Sequence, residues 1–332
     1  MKKFLAITLL LCMMLVMGAW SANGEEYTLG MGVVTSMDSS ATNNAQVDAT
    51  VAAVILDKDG KIVDCRIDCA QSKMDVTDGE VDAAKEFLSK VELKEDYNMV
   101  KYSNATLEWY QQAENFEKYA VGKTADEILA AETVLNDEGH TVFVDEALYA
   151  SVSISIADMQ QAVAKACADD QAVAFTANGE LTFGLACNTK ADESVAATSD
   201  ADGVVKMYTE FAAVVLDGEG KVVATLQDAI QPQIAIDEDG EIGDITFRGT
   251  KRELKEDYNM VKFSNATLEW YQQAANFNAY AVGKTAAELS GVETVVNEEG
   301  HHVFADETLF ASVSISVDGM TNVLLKAIDY AR

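Results

Sequence analysis

Short apolar runs and helically spaced apolar positions alternate along this chain in an order that occurs twice. Apolar runs at 51–56 and 62–67 predict two strands, and the turn sequence Asp57-Lys58-Asp59-Gly60-Lys61 between them predicts a β-hairpin. The pattern returns at 211–216 and 222–226, around a turn from Asp217 to Lys221. We therefore expect the same hairpin in each half of the chain.

A helix is predicted after the hairpin, from Asn104 as its N-cap to Ala120, with Gly122 as its terminator. Glu114 and Lys118 fall on the face opposite to its apolar stripe, and the second copy has alanine at both positions. The stripe is predicted to be core, and it consists of Ala105, Trp109, Ala113, Phe116 and Ala120.

The repetition is a tandem duplication. Leu93 to Met159 returns as Leu254 to Met320 after a shift of 161 (254 − 93), without insertion or deletion. Roughly three quarters of the aligned positions are identical. The expected fold class is α+β, with two tandem copies of a small domain, each with an antiparallel sheet or hairpin and three or so helices. The expected divisions are a signal peptide at 1–24, repeats at 25–168 and 181–332, and a linker at 169–180.

Further elements are predicted around these. Tyr27 to Val34 reads as a first strand, with Gly30 and Gly32 alternating through it, and Val81 to Leu88 as a short helix. Thr124 and Thr285 open capping boxes. Ala157 to Ala168 is predicted to be the closing helix. The preceding Ser151, Ser153 and Ser155, matched by Ser312, Ser314 and Ser316, suggest either a strand with one polar face and a cap or hydroxyls facing a phosphate.

Charge and the N-terminal segment narrow the functional classes. A net charge of −31 argues against nucleic-acid binding, which needs clustered Lys and Arg. Lys2 and Lys3, the apolar run Phe4 to Met17 and the small residues after it predict a cleaved signal peptide. The mature protein is expected to be secreted or extracytoplasmic, with no membrane span.

The residue types that usually carry chemistry are sparse. Cys65, Cys69, Cys167 and Cys187 remain after cleavage, as buried thiols or as disulfides of undetermined pairing. His140 and His301 are interpreted as turn residues, because neither copy offers a dependable third metal ligand. The sequence assigns no catalytic residue and no metal, and it favours an electron carrier or a binding protein over an enzyme.

The order of parts resembles the FMN-binding domain family of exported redox proteins, which take part in extracytoplasmic electron transfer. The similar features are the strand with Gly30 and Gly32, the hairpin with its Asp-Gly-Lys turn, and the Glu-Trp-Tyr-x-Gln-Ala helix ending in Val-Gly-Lys-Thr. A serine-rich segment before a closing helix completes the order. The resemblance spans most of each repeat and implies an FMN cofactor and a redox partner protein.

In flavinylated members of that family, a threonine before the closing helix carries FMN through a phosphoester. The resemblance places Ser153 and Ser314 at this threonine, with Ser155 and Ser316 as the following hydroxyls. Tyr97 and Tyr258 become candidate neighbours of the flavin ring. Ser151 and Ser312 replace the glycine of the family pattern, which argues against covalent attachment. The alternative is a flavin-free secreted binding or surface-interaction module that kept the fold.

Overall fold

The protein has an α+β fold in which all sheets are antiparallel, and this confirms the predicted class. The computed structural model describes residues 24–332, so the predicted signal peptide lies outside the described residues except for Gly24. None of the helices within residues 24–332 combines the length and the apolar character that a membrane span requires. The strands are β1 Glu25–Ser36, β2 Asn44–Leu56, β3 Ile62–Asp75, β4 Thr133–Leu135, β5 Thr141–Phe143, β6 Val173–Ala177, β7 Thr182–Lys190, β8 Gly203–Lys206, β9 Tyr208–Leu216, β10 Val222–Ile230, β11 Gln233–Ile236, β12 Ile242–Thr246, β13 Thr294–Val296 and β14 His302–Phe304.

The α-helices of the two repeats match in order, and all except the closing helix match in length. Short 3₁₀ turns occur at Thr77–Gly79, Lys94–Tyr97 and Lys255–Tyr258. The α-helices are α1 Lys90–Leu93, α2 Met99–Tyr102, α3 Trp109–Ala120, α4 Ala125–Leu129, α5 Glu146–Ser151, α6 Ala157–Cys167, α7 Lys251–Leu254, α8 Met260–Phe263, α9 Trp270–Ala281, α10 Ala286–Ser290, α11 Glu307–Ser312 and α12 Asp318–Asp329.

Two sheets enclose one core that both repeats share. Their strand orders are β3-β2-β1-β6 and β10-β9-β7, and at the edges β3 lies beside β7 and β6 beside β10. Alternate side chains such as Met31 and Val51 from the first sheet meet Leu185 and Phe211 from the second. The other faces of the sheets are covered by α3 and α6 and by α9 and α12. The strands are apolar on both faces because each sheet is buried on both sides.

Reciprocal ion pairs hold the repeats together. Lys165 at the end of α6 reaches Glu253 on α7, with Nζ and Oε1 2.7 Å apart. The equivalent Lys326 on α12 reaches Glu92 on α1 at 2.6 Å, and this second pair is largely buried. Each closing helix therefore anchors the short helix of the other repeat.

Glycine in the first strand of each repeat permits close helix packing. A Cβ built on Gly30 would lie 2.1 Å from the carbonyl oxygen of Ala166 on α6, and one on Gly184 would lie 1.9 Å from that of Ala327 on α12. These separations are far inside van der Waals contact. The predicted strand with Gly30 is confirmed, and its glycine allows the helix backbone to lie directly on the sheet.

Several predicted boundaries differ from the structure. The segment 81–88 is not a helix but irregular backbone, and its residues Val81 and Phe87 pack against the shared core. The third helix begins at Trp109, since Glu108 and not Asn104 is its N-cap. The expected linker 169–180 contains β6, which pairs with β1 from Leu29↔Val173 to Glu25↔Ala177. The hairpins and both threonine capping boxes are confirmed.

Candidate ligand-binding site

The serines singled out by the family resemblance are held by a buried glutamine on the main helix of each repeat. Oε1 of Gln112 accepts hydrogen bonds from the Ser153 N–H at 2.7 Å, the Ser153 hydroxyl at 3.2 Å and the Ile154 N–H at 3.2 Å. Gln273 receives the same three bonds from Ser314 and Ile315. Each serine hydroxyl thus helps to fix its own loop, and a phosphoester there would remove its hydrogen-bond donor.

The remaining serines take other roles than the predicted ones. Ser151 is the last residue of α5 and not part of a strand, and its hydroxyl donates to the carbonyl oxygen of Leu148 at 2.8 Å. No side chain caps α6, whose N-cap is Ile156, so the predicted serine cap is wrong. Ser155 is exposed. The hydroxyl of Ser316 donates to Oδ1 of Asp318 at 2.5 Å.

The two tyrosines belong to cages around a lysine. In the first repeat Nζ of Lys90 lies 5.0 Å from the ring centre of Tyr97 and 5.3 Å from that of Trp109. In the second, Nζ of Lys251 lies 4.8 Å from the Tyr258 ring and 5.3 Å from the Trp270 ring.

The tyrosine hydroxyls bond away from the serines. Tyr97 donates to Gln71 at 3.1 Å and Tyr258 to Gln231 at 3.2 Å. No hydrogen bond within residues 24–332 joins Tyr97 to Ser153.

A cavity lies beneath α9, at the seam between β6 and β10. Its volume is about 620 Å³, within the usual range for small-molecule sites. We call it the α9 groove. Its walls are residues 171 and 173–176 near β6, residues 217, 221–223 and 225–227 at the turn before β10 and along it, Arg252, and Tyr271, Ala274, Ala275, Asn278 and Ala279 of α9 with the following Val282 and Gly283. Of the two charged residues in the turn, Asp217 accepts backbone N–H groups of that turn, and Lys221 pairs with Glu219 at 2.8 Å.

Arg252 closes one side of this groove and is not free to bind a ligand anion. Its Nη2 lies 3.0 Å from both carboxylate oxygens of Asp169, and both side chains are only 7% exposed. The same Nη2 also donates to the carbonyl oxygen of Gln171 at 3.0 Å. Since its charge is neutralised within the wall, Arg252 shapes the groove and does not make it cationic.

The equivalent groove under α3 carries charges that pair with one another. Arg332 enters it, with Nη2 2.7 Å from Oε2 of Glu117 and Nη1 3.2 Å from Oε1 of Glu114. The backbone of Arg332 exchanges two hydrogen bonds of 3.2 Å with Phe183 on β7. A cavity of about 500 Å³ remains there, and Arg66, Lys94 and Glu95 also line it.

Three substitutions between the copies remove charged side chains from the helix wall of the α9 groove. Glu114, Glu117 and Lys118 correspond to Ala275, Asn278 and Ala279. Glu117 accepts a hydrogen bond from the Ile67 N–H on β3 at 2.8 Å, whereas the shorter Asn278 leaves its Oδ1 atom buried and without a partner in the described chain. Asn278 is 7% exposed and lines the groove. A buried acceptor without a donor costs free energy, and a ligand donor recovers it when the amide of Asn278 turns this oxygen toward the groove.

Burial dominates the electrostatics of the α3 groove. It raises the pKa of Glu117 to about 7, against the opposing effect of Arg332 and the Ile67 N–H. Glu117 therefore needs its arginine partner when it ionises. Asn278 carries no such charge, so the α9 groove accepts an uncharged occupant without leaving an ion unpaired.

The comparison of the two copies identified part of the groove wall. It placed Glu114 and Lys118 on the face opposite the core stripe, and that face forms the wall of each groove. The exchange of Glu117 for Asn278 was also visible, but nothing in a single sequence shows that this position is buried.

The cysteines and histidines add no site. Cys65, Cys69, Cys167 and Cys187 are free thiols, and burial raises the pKa of Cys167 to about 11. Within residues 24–332 no group of three or more His, Cys, Asp or Glu side chains is placed to hold a metal ion. Comparisons of the chain with protein-family models, with curated proteins and with solved structures find no match.

Proposed function

We propose that this protein binds a small molecule in the α9 groove, and that the ligand is uncharged, mainly apolar and equipped with one hydrogen-bond donor. The observation that carries the proposal is the unpartnered Oδ1 atom of Asn278, buried beside a cavity of about 620 Å³. The alanines at 275 and 279 leave room beside it. This develops the flavin-free binding module that the sequence offered as its alternative. Secretion fits such a role and rests on the predicted signal peptide.

The test compares two probes that differ in one donor. 2-Naphthol carries a hydroxyl and 2-methoxynaphthalene does not, while their apolar bodies are alike. A hydrogen bond to Asn278 contributes about 1 kcal/mol, so 2-naphthol is expected to bind roughly fivefold more tightly. Titration calorimetry on the protein measures both affinities. Asn278→Leu is expected to abolish the difference between the probes.

A matched pair of variants locates the site. Ala275→Trp fills the α9 groove and is expected to remove binding, whereas Glu114→Trp makes the equivalent change in the α3 groove and is expected to leave binding unchanged. Circular dichroism establishes that each variant is folded. Absence of binding by either probe, or binding that survives Ala275→Trp, would contradict the proposal.

FMN is tested in the same series, because the family resemblance predicts it. Flavin absorbance that survives denaturation and disappears in Ser153→Ala plus Ser314→Ala would establish attachment at those hydroxyls. The wild-type protein could instead quench the fluorescence of added FMN. If Ala275→Trp abolished this quenching, the flavin would be a ligand of the α9 groove.

A further inference from the structure

Lys251 has unusual surroundings for an amine. The side chain is buried at the start of α7, with the residue 7% exposed. Rings of Tyr208, Tyr258 and Trp270 surround Nζ at 4.5, 4.8 and 5.3 Å from their centres. Its one hydrogen-bond partner in the described chain is the Tyr208 hydroxyl at 3.3 Å, and no carboxylate lies within ion-pair distance.

A small cavity of about 190 Å³ has Lys251 and the cage residue Tyr258 in its wall. Gln231, Gln233, Phe247, Arg248 and Tyr258 line it together with Lys251. Its lining includes both apolar and amide side chains, and its size suits a molecule of a few heavy atoms.

Burial lowers the pKa of Lys251 to about 8, although Glu210 on β9, Asp228 on β10 and Glu193 oppose the shift and Lys190 on β7 adds to it. At pH 7.5 about a quarter of such amines are neutral, against roughly one in a thousand at the ordinary lysine pKa. Only the neutral amine is a nucleophile.

The first repeat supplies a natural contrast. Lys90 has the equivalent tyrosine and tryptophan, but strand β2 places Asp48 where β9 places Tyr208. Burial alone would lower the pKa of Lys90, yet Cys69, Tyr97 and Asp48 outweigh it, so that the pKa lies above its usual value. Lys90 is therefore a caged cation, whereas Lys251 is an amine that loses its proton readily.

We infer that Lys251 is a reactive amine that condenses with small aldehydes entering the 190 Å³ cavity. Its nitrogen adds to the carbonyl carbon, both hydrogens of the neutral amine pass to the carbonyl oxygen, and that oxygen leaves as water while a C=N bond forms. The step is not a redox step and requires no further reactant. This site is separate from the α9 groove and does not depend on the function proposed for it.

The test is reductive labelling of the full chain with propanal and cyanoborohydride at pH 7.5, with each lysine followed by peptide mass mapping. Lys251 is expected to react at least tenfold faster than Lys90, and faster than the exposed Lys262, with a half-maximal rate near pH 8. Tyr208→Asp gives the second repeat the chemistry of the first and is expected to suppress labelling of Lys251 alone. Equal labelling of Lys251 and Lys90, or unchanged labelling of Lys251 in Tyr208→Asp shown to be folded by circular dichroism, would overturn the inference.

Discussion

Glu210 ties the stability of the second repeat to pH. The residue is 7% exposed on β9, and burial raises the pKa of its carboxyl from 4.5 to about 7, even though Lys190 and Lys251 oppose the shift. Between these values the folded chain binds a proton that the unfolded chain has lost. The free energy of unfolding from this group is therefore fully present below about pH 4.5 and falls as the pH rises through about 7.

The size of the effect follows from the two pKa values. Lowering the pH from 7.5 to 5.5 is expected to add about 2 kcal/mol to the free energy of unfolding through Glu210 alone. Asp228, with its pKa raised to about 6, and Glu117, raised to about 7, shift the wild-type stability in the same direction. Acidification also reduces the repulsion within a chain of net charge −31, so the share of one residue must be isolated by substitution.

Urea unfolding of wild type and Glu210→Gln at pH 7.5 and pH 5.5 isolates the contribution of Glu210. Glutamine keeps the shape and cannot titrate, so the variant is expected to gain about 2 kcal/mol less than wild type on acidification. Glu298→Gln, at an exposed position, is the control and is expected to follow wild type. If Glu210→Gln gained as much as wild type, the buried carboxyl would not hold a raised pKa and the reasoning would be refuted.

Two further predictions concern packing. Gly30→Ala places a methyl group against the Ala166 carbonyl oxygen and is expected to lower the free energy of unfolding by about 3 kcal/mol, measured by urea unfolding. Gly218→Ala, whose added methyl group meets no atom within 4 Å, is the control and is expected to change the free energy of unfolding by less than about 0.5 kcal/mol. An unchanged Gly30→Ala would contradict the close approach of α6 to β1. Among the cysteines of residues 24–332, only the half-buried Cys167 is expected to react with a thiol reagent in the folded protein, and all four after unfolding; rapid reaction of a second thiol would show that the sheets open.

Local patterns predicted those elements whose cause is local. The Asp57-to-Lys61 turn and the Thr124 capping box are specified within five residues, and both are confirmed. Boundaries set by tertiary contacts were missed. Helix α3 begins at Trp109 because the carboxylate of Glu108 also accepts the N–H groups of Met99 and Val100, a contact that the spacing of apolar residues does not report.

The core that both repeats share could not be predicted from the sequence repeat. A duplication suggests two domains and a linker, yet 173–177 completes the first sheet and both sheets face each other. Continuous apolar runs such as 51–56 are typical of strands in a sheet that is covered on both sides. Which surface covers the second face is settled only by the three-dimensional arrangement.

The lysine cages show why the candidate chemistry also escaped a comparison of the copies. Asp158 on α6 contributes a carboxylate near Lys90, and the aligned residue on α12 is Gly319. In the second repeat the carboxylate comes from Glu210, and a Cβ on Gly319 would lie 2.5 Å from both of its oxygens. Strand register places Thr50 at the position of Glu210 in the first repeat. The carboxylate near the lysine is therefore on the closing helix in the first repeat and on strand β9 in the second. Glu210 lies outside the block 254–320, in which the copies align.

This relocation predicts a coupling that can be measured. Gly319→Asp alone brings a second carboxylate against Glu210 and is expected to destabilise by about 3 kcal/mol through overlap and repulsion. Glu210→Thr alone removes the acidic neighbour of Lys251. The double variant has the residues of the first repeat at these two positions and is expected to recover at least about 1.5 kcal/mol relative to the sum of the single effects in a double-mutant cycle. Additive effects on stability would mean that the side chains at 210 and 319 do not contact each other. The carboxylates near Lys90 and Lys251 would then not be equivalent.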